Sequence, residues 1–198
     1  MISKRTYTIQ RDTQETQIGL TINLDGEGKS NISTGIPFLD HMLTLFTKHG
    51  YFDLEIKAVG DLEIDQHHTM EDLGLTMGKA IREALGDKKG IRRYGFFYLP
   101  MEESLSRVVL DLSGRPCLVY NVEPPVTHIN NIDVRLFHEF FQALTNTLGV
   151  NLHIDLIRGR ETHHIYESIF KGFGRALDQA VSNEPRETGV PSTKGLLD

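Results

Sequence analysis

Apolar and polar residues alternate in QIGLTINLDGEG, where Ile18, Leu20, Ile22 and Leu24 share one face before an Asp-Gly pair. A period of two marks a strand with one buried face, and Asp-Gly marks the turn that ends it. The pattern returns in EESLSRVVLDLSGRP, with Val108, Leu110 and Leu112 in the places of Leu20, Ile22 and Leu24, Gly114 in that of Gly26, and Glu103 in that of Glu15. Each strand leads to a helical stretch. In PFLDHMLTLFTKHG, Phe38, Met42 and Phe46 recur at four-residue spacing, and DVRLFHEFFQALTNTLG takes the same place in the second half. Alternating strands follow, YFDLEIKAV and VNLHIDLI, and each runs through a short loop to a helix opened by a histidine pair. The repeat is far longer than the roughly 20 to 50 residues of a solenoid unit. The pattern therefore predicts an α+β chain made by internal duplication, with pseudo-symmetric halves over 1–93 and 94–184 and a tail over 185–198. The last segment, NEPRETGVPSTKGLLD, is rich in Pro, Gly, Ser and Thr and is expected to be mobile.

A chain of 198 residues, 39% hydrophobic, can bury a sizeable core. No apolar run approaches the roughly 20 residues that cross a bilayer, and MISKRTYTIQRDT lacks the apolar stretch of a secretory signal, so a cytoplasmic protein with no membrane contact is expected. A net charge of −6 with scattered basic residues excludes the clustered positive face of a nucleic-acid binder. The single cysteine, Cys117, lies in the apolar run CLVYNV and reads as a small buried side chain.

Two stretches carry chemistry. DQHHTMED, residues 65 to 72, and HHIYES, residues 163 to 168, share the pattern His-His-x-x-Glu. On a helix, residues three apart lie on one side, so His68 with Glu71, and His164 with Glu167, are each expected to grip one ion. Neighbouring residues differ by about 100° around a helix, which turns His67 and His163 away from the ion on their own helix. If the halves pack about a pseudo-twofold axis, His163 completes the site of His68 and Glu71, and His67 that of His164 and Glu167. The preceding helices offer His41 in the first half and His138 or Glu139 in the second. Imidazoles with a carboxylate and no thiolate suit a divalent transition ion, and a ligand count above four favours an octahedral one such as Mn2+. A two-metal phosphate-ester hydrolase would also want paired ions, although such sites usually bridge them with Asp; a metal-stapled assembly protein is the non-enzymatic alternative.

TGIPFLDHML, GDLEIDQHHTMEDLG, ALGDKKGIRRYG, VVLDLSGRP, HHIYESIFKGFGRAL and the terminal PSTKG together resemble the imidazoleglycerol-phosphate dehydratase family of histidine biosynthesis over nearly the whole chain. The resemblance implies four-stranded sheets flanking a helical layer, two Mn2+ ions per active site, and a homo-oligomer, a 24-mer built from trimers. It implies an enzyme that removes water from a small phosphate substrate, D-erythro-imidazole-glycerol phosphate, to give imidazole-acetol phosphate. The family's metal ligands fall on His41, His67, His68, Glu71, His163, His164 and Glu167, plus one residue of the HEFF helix. Many members carry His directly before the two phenylalanines, where this chain has Glu139 with His138 one place earlier. Glu15 resembles the acid/base residue. Substrate contacts fall on His49, Arg93, Arg115, Lys171, Ser192, Thr193 and Lys194, and Leu45 stands where many members have Gln.

Overall fold

The computed structural model describes residues 5–197. The first half runs β1 (Thr6–Asp12), β2 (Thr16–Asn23), β3 (Ser30–Ser33), α1 (Pro37–Gly50), β4 (Asp53–Gly60) and α2 (His67–Leu85). The second runs β5 (Tyr94–Met101), β6 (Ser104–Asp111), β7 (Cys117–Asn121), β8 (His128–Ile129), β9 (Ile132–Asp133), α3 (Leu136–Leu148), β10 (Asn151–Arg158) and α4 (Thr162–Val181). The sheets have the same order, β1-β2-β4-β3 and β5-β6-β10-β7, and in each the short edge strand, β3 or β7, runs parallel to its neighbour. Their registers match: Leu20 lies between Ile9 and Ile56, and Val108 between Phe97 and Ile154. The alternation dictates this, since a one-residue slip would turn every inward side chain out to solvent. The β8–β9 hairpin is an addition of the second half.

The helices lie between the sheets and pair across the halves, α1 against α4 and α2 against α3. Glycine permits the close crossings. A Cβ on Gly174 would stand 2.5 Å from the Phe46 carbonyl oxygen, and one on Gly78 would stand 2.4 Å from that of Leu144. Aromatic side chains fill the shared core, with Phe46 stacked on Phe173 at 5.2 Å and Phe141 tilted against Phe170 at 5.2 Å. Thus the two halves bury one continuous core.

Two expectations fail. Cys117 is exposed, because it opens the edge strand β7 and its side chain turns from the core. The last segment is tied down despite its composition: Asn183 bridges Ile91, the Gly90 N–H donates to the Gly189 carbonyl (2.9 Å), and Arg93 donates to the Pro191 carbonyl (2.8 Å). Backbone and guanidinium hydrogen bonds supply what apolar burial does not.

Candidate active site

Both histidine pairs lie in the first turn of a helix, where side chains project past the end of the core. Glu161 caps α4 by accepting from the His164 N–H (2.8 Å), and Asp65 accepts from the His67 N–H (2.7 Å). The expected pairing at three residues is not what forms. His163 Nε2 lies 3.1 Å from Glu167 Oε1 and His67 Nε2 lies 3.9 Å from Glu71 Oε2, both four residues apart. Four steps of about 100° bring a side chain within about 40° of its start, whereas three leave it about 60° away. His68 and His164 turn elsewhere, and His163 stays with its own helix instead of crossing to Glu71.

A contact across the halves does form, but α1 makes it, because α1 packs on α4. His41 Nε2 approaches the same Glu167 Oε1 at 3.0 Å, and the His41 and His163 rings lie 5.3 Å apart. One donor atom each from His41, His163 and Glu167 falls within 4.8 Å of the others. The set fits a divalent ion: two ligand atoms at right angles, each about 2.1 Å from a metal, stand about 3 Å apart. Lys171 Nζ donates to Glu167 Oε2 at 2.5 Å. Burial pushes the Glu167 carboxyl up, but hydrogen bonds from Lys171, His41 and His163 and the lysine charge outweigh it and bring the carboxyl down to about 2. His49 lies near this cluster. Burial, then the charges of Lys171 and Arg175, holds its imidazole below the ordinary value.

His68 and His164 meet other carboxylates. His68 Nδ1 is 2.9 Å from Asp61 Oδ2, with Glu15 Oε1 3.8 Å from Nε2; His164 Nδ1 is 2.9 Å from Glu103 Oε2. The hydrogen bonds to Asp61 and to Glu103 are what raise the affinity of each ring for a proton. Glu15, the last residue of the loop before β2, is 54% exposed in its side chain.

The phosphate candidates divide between two places. Arg93, Arg115, Ser192, Thr193 and Lys194 line one open cavity of about 630 Å³ beside the end of β5, with Tyr94 and Glu187; His49 and Lys171 do not line it. Arg93 adopts a left-handed backbone, φ 71°, which an L side chain occupies only when its surroundings fix it. They do so here through a bidentate pair with Asp111 at 2.6 and 3.0 Å and the bond to Pro191.

The crossings also align the helices. Gly78 meets Leu144 as Gly174 meets Phe46, and left-handed caps end α3 at Gly149 and α1 at Tyr51. Both relations put Glu139, not His138, in register with His41. Glu139 Oε1 lies 3.0 Å from His138 Nδ1, and among the described residues it does not gather with His67 and Glu71 as His41 does with its partners. Leu45 packs half-buried against the core. Sequence reasoning assigned no role to Asp61, Asp111 or Arg175. Asp61 and Asp111 stand at strand ends, and Arg175 lies one turn beyond Lys171 with its guanidinium over Phe97 (5.5 Å).

The sequence model of the imidazoleglycerol-phosphate dehydratase family matches residues 34–177. The imidazoleglycerol-phosphate dehydratase of Thioalkalivibrio sulfidiphilus is 58% identical over 197 residues, covering 99% of this chain and 100% of that protein. That of Pelobacter propionicus is 54% identical over 193 residues, with 98% and 99% covered. The crystal structure of the Staphylococcus aureus enzyme superimposes with a TM-score of 0.82 at 44% identity, covering 90% of this chain and 99% of that one. The Pyrococcus furiosus enzyme, crystallised in complex with (S)-C348, gives 0.83 at 37% identity, covering 96% and 100%. Architecture, sequence and site thus agree that this chain belongs to the imidazoleglycerol-phosphate dehydratase family, hydro-lyases of histidine biosynthesis.

Proposed function

We propose that the chain converts D-erythro-imidazole-glycerol phosphate to imidazole-acetol phosphate and water, with two divalent ions, Mn2+ by preference, at each active site. The convergence of His41, His163 and Glu167 on one point carries this reading. Divalent ions bound there supply Lewis-acid stabilisation of the negative charge that develops on the substrate imidazole. His41, His163 and Glu167 hold one ion. His67, Glu71 and Glu139, the register counterparts, hold the other. His68 and His164 lie outside the cluster and serve ions of a neighbouring copy. The separation of His49 and Lys171 from the cavity of Arg93 and Arg115 fits the same division, with each complete site drawn from more than one subunit of a cytoplasmic 24-mer built from trimers. An aromatic stripe on the outer face of the second sheet, Tyr94, Phe96 and Tyr98, each more than 50% exposed, supports burial against another copy.

Glu15 moves the proton. The reaction takes a proton from a carbon with no neighbouring carbonyl and a hydroxyl from the adjacent carbon, and Glu15 offers an exposed carboxylate beside His68 Nε2. Arg93, Arg115, Ser192, Thr193 and Lys194 grip the phosphate dianion. Arg115 supplies a forked donor and Lys194 a point charge, while Lys171 and His49 reach the substrate from the metal cluster.

Incubating the substrate with the Mn2+-reconstituted protein and following ketone product and inorganic phosphate together tests this. Ketone without phosphate, lost on chelation and restored by Mn2+, is the expected result. Released phosphate, or turnover indifferent to chelation, overturns it.

A further inference from the structure

His68 and His164 occupy the same place in the two halves, yet different positions of the chain hold them. Asp61, just after β4, lies 2.9 Å from His68 Nδ1, whereas the register shift near the end of β10 sets Gly159 in the place of Gly60, so the residue matching Asp61 is Arg160, which offers no carboxylate. In the second half the carboxylate comes from the β5–β6 turn, where Glu103 lies 2.9 Å from His164 Nδ1. Glu103 is the counterpart of Glu15. The duplicated chain thus reaches one geometry at both rings by two routes.

The Glu103 carboxylate is fixed for this purpose. Its Oε1 accepts from the backbone N–H groups of Arg160 (3.2 Å) and Glu161 (2.9 Å) and from Ser104 Oγ (3.0 Å), which leaves Oε2 aimed at the imidazole. Asp61 is 15% exposed in its side chain, and its Oδ1 is buried without a partner. An ionised carboxylate only accepts, so each Nδ1 must carry the proton, and the lone pair of each neutral ring falls on Nε2. Hydrogen bonding of this kind fixes the tautomer and plane of a ligating imidazole and raises its basicity.

We infer that Asp61 and Glu103 are positioning residues that hold His68 and His164 as Nδ1–H tautomers with Nε2 presented to a metal, and that this duty is what leaves Glu15 as the one free glutamate of its duplicated pair. Glu15 lies 3.8 Å from Nε2 of His68, on the opposite side of the ring from Asp61. No such division is legible in the sequence, where Glu15 and Glu103 look alike. The inference rests on the metal-dependent reading given above.

Asp61→Asn and Glu103→Gln keep the shape and remove the charge. Titrating each purified full-chain protein with Mn2+, with free ion followed by electron paramagnetic resonance, should show affinity weakened roughly 10- to 100-fold in each, and Glu103→Asp should recover part of the loss. The ring-nitrogen NMR shifts of wild-type protein labelled with 15N-histidine, measured without metal, should show Nδ1–H for the two rings whose signals vanish in His68→Ala and His164→Ala, and each carboxamide variant should lose one of these signals. His68→Ala and His164→Ala serve as references. If these two lose Mn2+ while Asp61→Asn and Glu103→Gln bind within twofold of wild type, the inference falls and the metal reading stands. Nε2–H tautomers for both rings in the wild type also overturn it, whether or not a variant folds. A wild-type protein that takes up no Mn2+ overturns both readings.

Discussion

Glu15 and Glu167 show how context separates residues of one chemistry. Glu167 accepts from Lys171 and lies against two imidazoles, so its charge is committed. Glu15 is largely exposed, with His68 at 3.8 Å as its near neighbour. Glu15→Gln is therefore expected to keep bound metal and KM and to lower kcat by roughly 10²- to 10⁴-fold, the range of a general acid or base. Steady-state kinetics with elemental analysis checks this, and normal kcat with raised KM would reduce Glu15 to a substrate contact. The reversal at the histidine pairs belongs to the same scale. Counting residues predicts that His164 and Glu167 share an ion, but the second histidine of each pair is claimed by a carboxylate outside its helix, Asp61 or Glu103, and the first is left to meet the glutamate four residues on.

At the scale of elements, the crossing of α1 on α4 positions His41 over Glu167, and Gly174 sets how close the helices come. Gly174→Ala would gain about 1 kcal/mol of helix propensity but drives a methyl into the Phe46 carbonyl, and overpacking of this kind costs about 1 to 3 kcal/mol. A lower melting temperature with weakened metal uptake is expected; a raised melting temperature would show slack in the crossing. The same helix α4 carries Tyr166, 1% exposed, whose hydroxyl donates to the Val134 carbonyl at 2.9 Å before α3. Burial pushes this hydroxyl up to about 12 from an ordinary 10. A folded value above the unfolded one means stabilisation fully present below pH about 10 and lost as pH rises through about 12. Urea midpoints should fall steeply in that window, and Tyr166→Phe should flatten the fall by on the order of 2 kcal/mol. An unchanged slope in the variant would assign the alkaline loss to other groups.

For the molecule as a whole, the duplicated sheets enclose helices that pair across the halves, so neither half contains the whole of the His41 cluster. In the proposed assembly, where ions would join ligands from separated segments, stripping metal should reduce assembly size as well as activity; light scattering after chelation checks it, and an unchanged radius would confine the metal to catalysis. The last segment binds Arg93 through Pro191 and brings Ser192, Thr193 and Lys194 to the same cavity. Deleting residues 191 to 198 should preserve fold and metal content while lowering kcat/KM by on the order of tenfold or more, given charge-assisted hydrogen bonds of about 1.5 to 3 kcal/mol each. Kinetics equal to the full chain would leave those three side chains without a part in binding.

The sequence by itself determined whatever depends on period and local chemistry. The alternation of Ile18, Leu20 and Ile22 and its return at Val108 and Leu110 gave two matching sheets, and the spacing of Phe38, Met42 and Phe46 gave α1 over Pro37–Gly50. The repeated histidine pairs marked where the chemistry lies. Tertiary structure decided which donors meet. His41 reaches Glu167 because α1 packs on α4, Glu139 rather than His138 falls in register with His41 because two glycines fix the helix crossings, and Glu103 is spent on His164 because Arg160, in the place of Asp61, offers no carboxylate there. It also turned Cys117 outward and tied the polar tail to Arg93. A period along the chain states which face of an element is buried, but not which element lies against it; the reach of a side chain to one 100 or more residues away is set only when the shared core closes.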